Sequence, residues 1–183
     1  MSKVFFWADL HFCHRNVLRH QAATRPFSDI KKMNEAYIDA WNSNVNNSDR
    51  IYILGDMFFT NDRIAMQRII ERLNGQKFLV IGNHDKKKTL DLDGFVWKKD
   101  LVKISVYNQE IVLCHYAMRV WNKKHYGSWH LYGHSHGNLL EDDSLSFDVG
   151  VDVFPEPVSF EEVQAKIEQK KKTLESINNV SSM

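Results

Sequence analysis

Short apolar runs of β-strand character alternate with segments of helical periodicity in the first half of this chain, and this alternation restricts the fold more than any other feature. Runs at 4–8, 51–54 and 78–81 predict strands. Between them, segment 30–45 repeats apolar residues at helical spacing. A second helical segment is expected to be capped by Asn61 and to end at Asn74-Gly75. An order of strand, helix, strand, helix, strand favours parallel pairing, and therefore an α/β fold.

The second half of the chain predicts further strands and one last helix. Runs at 101–106 and 110–114 predict a hairpin, and two more strands are expected at 129–132 and 145–149. Ser159 is expected to cap the last helix, because acidic residues fill the first turn and lysines lie near its end. Residues 1–177 are expected to form a single domain and 178–183 a frayed tail.

Size and composition restrict the class of protein. A chain of 183 residues with 43% hydrophobic and 26% charged residues suits one soluble globular domain. A net charge of +1 argues against a protein that coats nucleic acid. No apolar run reaches the roughly 20 residues of a membrane span, no export signal is recognisable, and the two cysteines lack C-x-x-C spacing. We therefore expect a cytoplasmic protein with no membrane partner; the sequence does not predict its oligomeric state.

Polar clusters follow the predicted strands. The carboxyl ends of strands in α/β sheets are where binding sites form. Residues two apart in an extended segment point the same way, so the two polar residues of a D-x-H or H-x-H motif are expected to face one centre. The clusters are Asp9-Leu10-His11, Gly55-Asp56, Gly82-Asn83-His84-Asp85, His115, and Gly133-His134-Ser135-His136.

The side chains in these clusters have the chemistry of metal ligands. Imidazoles and carboxylates with one amide and no thiolate suit Mn, Fe, Ni or Zn, whereas an all-oxygen set would favour Mg or Ca. Two divalent ions would carry four positive charges, of which Asp9 and Asp56 would neutralise two. The remaining positive charge suits a phosphate group and lowers the pKa of a bridging water. We expect two divalent transition-metal ions, with manganese first among the candidates.

In this order, the motifs D-x-H, G-D, G-N-H-[DE], a single His and G-H-x-H resemble the calcineurin-like metallophosphoesterases. The resemblance runs from Val4 to about His136, and segments 7–12 and 127–134 are typical of the compact phosphoesterases of bacteria and phages. Cys13 stands where that subgroup is expected to have glycine. The resemblance implies an α/β fold with two facing mixed β-sheets flanked by helices.

The resemblance also implies a role for each motif residue. A hydroxide that bridges the two ions would attack phosphorus in line, without a covalent intermediate. His84 would lie near the leaving-group oxygen as a general acid or a stabiliser of charge, and Asp85 would orient it. The implied ligands are Asp9, His11 and His136 for one ion, Asn83, His115 and His134 for the other, and Asp56 for both.

Segment 119–129, between the last two motifs, bears on the substrate. It is basic and aromatic, which favours a phosphodiester or nucleotide-type substrate. Arg119 and Trp121 in this segment are candidate substrate contacts, as is Asn16 after the first motif. The alternatives are a surface loop whose tryptophans cover the core and, for Asn16, the start of a helix. Asp152 is expected to make structural hydrogen bonds.

The sequence therefore predicts a phosphoesterase that acts on a small phosphoester or nucleotide. The nearest alternative is a metal-dependent nuclease, with nucleic acid as the substrate. A non-catalytic scaffold of the same fold is disfavoured, because no implied ligand is missing. A nucleic-acid-binding module with incidental metal is disfavoured by the near-neutral charge.

Overall fold

The computed structural model describes residues 2–140 and 144–181. Strands and helices alternate in the first half, and the second half is mostly β-strand. The strands are β1 (Val4–Trp7), β2 (Arg50–Leu54), β3 (Gln76–Val80), β4 (Phe95–Lys99), β5 (Leu101–Val106), β6 (Gln109–Cys114), β7 (Trp129–Tyr132), β8 (Ser146–Asp148) and β9 (Val158–Ser159). The helices are α1 (Val17–His20), α2 (Ile30–Asn44), α3 (Arg63–Arg72), α4 (Lys87–Leu90) and α5 (Phe160–Ser181), and a 3₁₀ turn spans Lys124–Tyr126.

The first sheet has the strand order β4-β3-β2-β1-β9. Strands β1 to β4 are parallel, as the alternation of strands and helices predicts, and β9 is antiparallel to β1. Helix α2 connects β1 to β2, and α3 connects β2 to β3. Because the paired strands run the same way, their carboxyl ends lie at one edge of the sheet.

The second sheet has the order β5-β6-β7-β8. The predicted hairpin of β5 and β6 is confirmed, and its turn places Tyr107 and Asn108 at φ 47° and 67°, the left-handed geometry of tight hairpin turns. Strand β7 pairs in parallel with both β6 and β8. The carboxyl ends of β6 and β7 therefore also share an edge.

Two apolar clusters pack on the two faces of the first sheet. Phe5 and Trp7 of β1 pack with the apolar faces of α2 and α3, whereas Val4, Phe6 and Ala8 point to the opposite face. That opposite face packs against Leu113 and other apolar residues of the second sheet, together with helix α5. Two facing mixed sheets with flanking helices are thus confirmed.

The helix ends differ from the expected ones in one place. Helix α3 is capped by Asp62, whose carboxylate accepts the amide of Ala65 at 3.0 Å. The predicted cap, Asn61, is therefore wrong by one residue. Ser159 caps α5 as expected, since its hydroxyl accepts the amide of Glu162 at 3.3 Å and its own amide donates to the Glu162 carboxylate at 2.7 Å.

Within residues 2–140 and 144–181, no helix combines the length and the apolar character needed to cross a membrane. The single domain of residues 1–177 and the frayed tail at 178–183 stay predictions. Ser182 and Met183 at the end of that tail lie outside the described residues.

Candidate metal centre

The polar clusters lie where the carboxyl ends of strands from both sheets come together. Asp9 and His11 follow β1, Asp56 follows β2, and Asn83 and His84 follow β3. From the second sheet, His115 follows β6, and His134 and His136 follow β7. Backbone hydrogen bonds join the loops, because the amides of Asp9 and His11 donate to the carbonyls of Gly55 and Asp56 at 3.1 and 2.9 Å.

Three of these side chains form a first group. Asp9, His11 and His136 each offer a ligand atom, and the three atoms lie within 4.8 Å of one another. The rings of His11 and His136 are nearly parallel, with centroids 5.3 Å apart. The arrangement has the size and the donor atoms of a divalent-cation site.

A second group lies beside the first. Asp56, His115 and His134 also place three ligand atoms within 4.8 Å of one another. The amide oxygen of Asn83 lies 3.0 Å from Nε2 of His115, which brings the predicted amide ligand to this group. The Nδ1 atom of His115 lies 2.8 Å from the carbonyl oxygen of Leu54, which sets the orientation of the ring.

The carboxylate of Asp56 lies between the two groups. Its Oδ2 is 3.7 Å from Nε2 of His11 and 3.5 Å from Nε2 of His115. The two imidazoles belong to different groups, so one carboxylate oxygen faces both. This is the position that a ligand shared by two ions requires.

The backbone at this centre is left-handed at five of the residues predicted to bind metal. Such a conformation costs a residue other than glycine roughly 1–2 kcal/mol, so its concentration here marks a functional geometry. Asp9 and His11 do face one centre, but not because they lie in an extended segment, since β1 ends at Trp7. The five φ angles are 57° at Asp9, 47° at His11, 53° at Asp56, 67° at His134 and 48° at His136.

Two glycines allow the ligand side chains to approach the backbone. A Cβ atom on Gly55 would collide with the ring of His115, and the φ of +91° also favours glycine there. A Cβ atom on Gly82 would collide with the carboxylate and the backbone amide of Asp56. The glycines of G-D and G-N-H-D are therefore needed for close packing around the predicted ligands.

The first group contains buried polar atoms without hydrogen-bond partners in the described part of the chain. Oδ1 of Asp9 and both ring nitrogens of His11 are buried and have no hydrogen-bond partner among the described residues. Buried polar atoms in proteins are nearly always paired, and each unpaired one costs free energy. A divalent cation would satisfy a carboxylate oxygen and an imidazole nitrogen at once, so the residues present fit a metal ion.

The pKa values of Asp9 and His11 also show that burial is not offset by hydrogen bonds or opposite charges. Burial raises the pKa of Asp9 from 3.8 to about 7 and lowers the pKa of His11 from 6.5 to about 3. In the second group, burial alone would lower the pKa of His115, but its contact with Asp56 outweighs burial and raises that pKa. Both groups thus have protonation states that a bound cation would change.

Asp85 has a different role from the predicted one. Its buried carboxylate accepts the backbone amides of Asp56, Met57 and Gly82 at 2.9, 3.2 and 2.9 Å. These bonds hold the loop that carries Asp56, so the expectation that Asp85 orients the His84 ring is corrected. The side chain of His84 is 36% exposed, and its Nε2 lies 3.9 Å from Oδ2 of Asp56.

An aromatic side chain that sequence reasoning did not single out lies beside His84. Phe59 is 42% exposed, stacks on the ring of His14 with centroids 3.9 Å apart, and meets His84 edge-on at 4.8 Å. Its amide donates to the carbonyl of Phe12 at 3.0 Å, which fixes the backbone at this position. A single phenylalanine after a strand has no sequence signal that distinguishes it from a core residue.

The predicted substrate contacts lie in different environments. Asn16 is exposed and precedes helix α1, and Arg119 is exposed beside a surface depression that Tyr132 and Leu139 also line. Trp121 is 7% exposed, and its indole N–H donates to the Ser128 carbonyl at 3.1 Å. A base-stacking role does not fit this burial; the indole instead packs in its own loop.

The expectation that Asp152 makes structural hydrogen bonds is confirmed, but its ion-pair partner Arg25 was not predicted. Arg25 and Asp152 are joined through their side chains, and Asp152 also contacts the ring of His136. Arg25 belongs to none of the motifs, and it lies 127 residues from Asp152 in the sequence. No local pattern could have indicated this contact.

Comparisons with known proteins identify relatives of mostly unassigned function. No protein-family model matches the chain. An uncharacterized protein of Methanocaldococcus jannaschii is 29% identical over 188 residues, which cover 98% of this chain and 99% of that protein. A solved protein of unknown function from Aquifex aeolicus has a TM-score of 0.73 at 23% identity over 90% of this chain and 99% of that one, which shows a shared fold. A solved phosphoesterase from E. coli matches 81% of this chain and 78% of its own at 19% identity, with a TM-score of 0.47.

Proposed function

We propose that this protein is a metal-dependent phosphoesterase of the calcineurin-like type. The observation that carries the proposal is the convergence of two groups of possible ligands, with the Asp56 carboxylate facing both. Convergence of five separate stretches of chain on one place is not required by core packing. The proposed ligands are Asp9, His11 and His136 for one ion, Asn83, His115 and His134 for the other, and Asp56 for both.

The chain contributes positions and charges to this reaction. Two divalent ions at these groups, with manganese as the first candidate, would supply positive charge for a phosphate and lower the pKa of a water molecule. Asp85 holds the Asp56 loop through three backbone amides. The partly exposed ring of His84 is the proposed proton donor to the leaving-group oxygen, since it lies beside Asp56 and faces solvent.

The proposed substrate is a phosphodiester or nucleotide-type compound. The support for this choice is Phe59, whose exposed ring lies next to His84 and is held in place by His14. A planar leaving group could stack on such a ring. Phosphodiesters of nucleosides carry both the reactive phosphate and a planar base that could stack on this ring.

Hydrolysis of p-nitrophenyl esters tests the proposal. Purified protein with added Mn²⁺ is expected to hydrolyse bis-p-nitrophenyl phosphate faster than the monoester, and EDTA is expected to stop the reaction. The Asp56→Asn variant should retain the fold and lose most turnover. Protein shown to contain two metal ions per chain but inactive on both esters would overturn the proposal. A higher rate on the monoester would overturn only the choice of a diester, and degradation of single-stranded DNA or RNA would favour the nuclease alternative.

A leaving-group comparison tests the role of His84. The His84→Ala variant should slow esters of poor leaving groups, such as nucleoside alkoxides, far more than p-nitrophenyl esters, because p-nitrophenolate scarcely needs a proton donor. Metal content measured in parallel is expected to stay at the wild-type level. Equal slowing of both kinds of ester would rule out proton donation by His84.

A further inference from the structure

The carboxylate of Asp152 is the meeting point of a buried network. Arg25 donates from Nε to Oδ1 at 2.9 Å and from Nη2 to Oδ2 at 2.5 Å, and Thr24 donates its hydroxyl proton to Oδ1. The ring nitrogen Nδ1 of His136 lies 2.7 Å from Oδ2. The side chains of Arg25 and Asp152 are both 0% exposed.

Arg25 also contacts the loop that carries the first two predicted ligands. Its guanidinium donates to the carbonyl of Asp9 at 2.7 Å and to the carbonyl of Leu10 at 3.3 Å. The network therefore touches the loop of Asp9 and His11 at one end and the ring of His136 at the other. One ion pair therefore connects the backbone at Asp9 and Leu10 to the ring of His136.

A buried ion pair needs a reason other than stability. Removing two charges from water costs several kcal/mol, and apolar residues of similar size often stabilise a fold as well or better. In this protein the carboxylate of the pair contacts His136, one of the possible metal ligands. A carboxylate that accepts the proton of one imidazole nitrogen fixes the tautomer and leaves the other nitrogen for a metal.

In the second group, the Nδ1 atom of the buried imidazole has a different kind of partner. There, Nδ1 of His115 lies 2.8 Å from the neutral carbonyl of Leu54. The carboxylate of Asp152 is paired with the buried guanidinium of Arg25, which favours the ionised form of the carboxylate. An ionised acceptor thus backs His136, and a neutral one backs His115.

We propose that Asp152, held by Arg25, is a positioning residue that keeps the proton of His136 on Nδ1 and presents Nε2 to a divalent ion bound with Asp9 and His11. The proposal rests on the metal site of the proposed function but not on hydrolysis. Asp152 itself touches neither the ion nor the substrate. Its effect is on the ring of His136.

Four variants separate positioning from a merely structural role. Asp152→Ala leaves Arg25 buried without its partner and is expected to be destabilised. The double variant Arg25→Met, Asp152→Leu replaces the pair by apolar side chains and is expected to fold. Asp152→Asn retains one acceptor oxygen for His136 and should keep most of the positioning, at reduced stability because its amide N–H groups face the donors of Arg25 and Thr24. The double variant Arg72→Gln, Glu35→Gln removes an ion pair whose side chains are 47% and 54% exposed and serves as the matched control.

The first readout is the tautomer of His136 in metal-free protein. Imidazole ¹H–¹⁵N correlation spectra at alkaline pH, with the His136 signals identified by their loss in His136→Gln, report which nitrogen carries the proton. Wild type, Asp152→Asn and the control should have the proton on Nδ1. The double variant at 25 and 152 should show a mixture of tautomers, and an unchanged spectrum in a folded double variant would overturn the proposal.

The second readout is Mn²⁺ binding measured by calorimetry, which does not depend on turnover. The double variant at 25 and 152 is expected to weaken one of the two binding events by about 10- to 100-fold, the usual effect of removing such a partner. Equal affinities in wild type and the double variant would contradict the proposal. Wild type that binds no Mn²⁺ would contradict the metal site, and hence this proposal, whereas metal binding without hydrolysis would contradict only the proposed function.

Discussion

The substitution Asp9→Asn is expected to stabilise the metal-free protein and to remove most of the stabilisation that metal gives. Asp9 is fully buried, its Oδ1 has no partner among the described residues, and burial raises its pKa from 3.8 to about 7. At about 1.4 kcal/mol for each tenfold change in proton binding, this difference corresponds to roughly 4 kcal/mol. The ionised carboxylate therefore destabilises the metal-free fold by that order.

The sign of the pH dependence follows from the direction of the shift. Because the pKa of Asp9 is higher in the folded state, the native protein binds more protons than the unfolded chain between about pH 4 and about pH 7. The contribution of Asp9 to stability therefore decreases as the pH rises through this range and is constant above it. Asparagine has no such titration.

Urea unfolding followed by tryptophan fluorescence measures the effect. In EDTA at alkaline pH, Asp9→Asn should raise the free energy of unfolding by up to roughly 4 kcal/mol, less the cost of burying an unpaired amide N–H. At acidic pH the difference should be close to zero. With Mn²⁺ at about a thousand times the dissociation constant, wild type should gain about 4 kcal/mol and the variant much less, because it lacks the charged ligand.

Asp49→Asn is the matched control for a buried carboxylate. Asp49 is 2% exposed, and its oxygens accept the amides of Lys3 and Asn46 at 2.7 and 2.9 Å, so its substitution should destabilise the protein with or without metal. If Asp9→Asn destabilises the metal-free protein at alkaline pH, or if its effect is the same at acidic and alkaline pH, the reasoning about Asp9 is refuted.

Three further predictions concern single residues. Cys13 has a φ of 67°, so Cys13→Gly should be more stable in urea than Cys13→Ala by about 1 kcal/mol, and a less stable glycine variant would contradict left-handed strain. Gly82→Ala should displace Asp56 and weaken Mn²⁺ binding by about tenfold or more while the circular dichroism spectrum is retained; wild-type affinity would show that the loop yields. Trp121→Phe loses the bond to the Ser128 carbonyl and should cost about 1 kcal/mol in urea without raising KM; a raised KM at unchanged stability would restore a substrate contact.

Much of the fold could be predicted because its signals are local. Apolar runs, helical periodicity and the turn of the hairpin are each visible within about ten residues, and parallel pairing follows from their order. Strands β4 (Phe95–Lys99) and β9 (Val158–Ser159) were not predicted. The first is only partly buried and carries two lysines, and the second has two residues, so neither has a strand pattern.

The predicted ligand residues converge, but the geometry that joins them could not be read from the sequence. Residue type indicates the left-handed backbone at Asp9 and His11 only weakly, because Asp and His are enriched there but are also common elsewhere. A simple alternation along a strand was available instead and gave the wrong reason. The glycine expected at position 13 was one sign of a left-handed backbone in this loop, because glycine suits such a φ. This chain has Cys13 there, at a φ of 67°. The contact of Arg25 with Asp152 spans 127 residues and needs the folded chain to be seen.

Each group of possible ligands takes residues from both sheets: Asp9 and His11 follow a strand of the first sheet and His136 a strand of the second, and Asp56 meets His115 and His134 in the same way. A cation in either group would therefore bind the two sheets to each other at this edge. Without metal, the His134 amide still donates to the Asp9 carboxylate across this edge at 2.8 Å, so loss of metal would weaken the contact between the sheets there without removing it. The supply of metal would then govern how firmly the layers stay closed, as well as whether the centre can react.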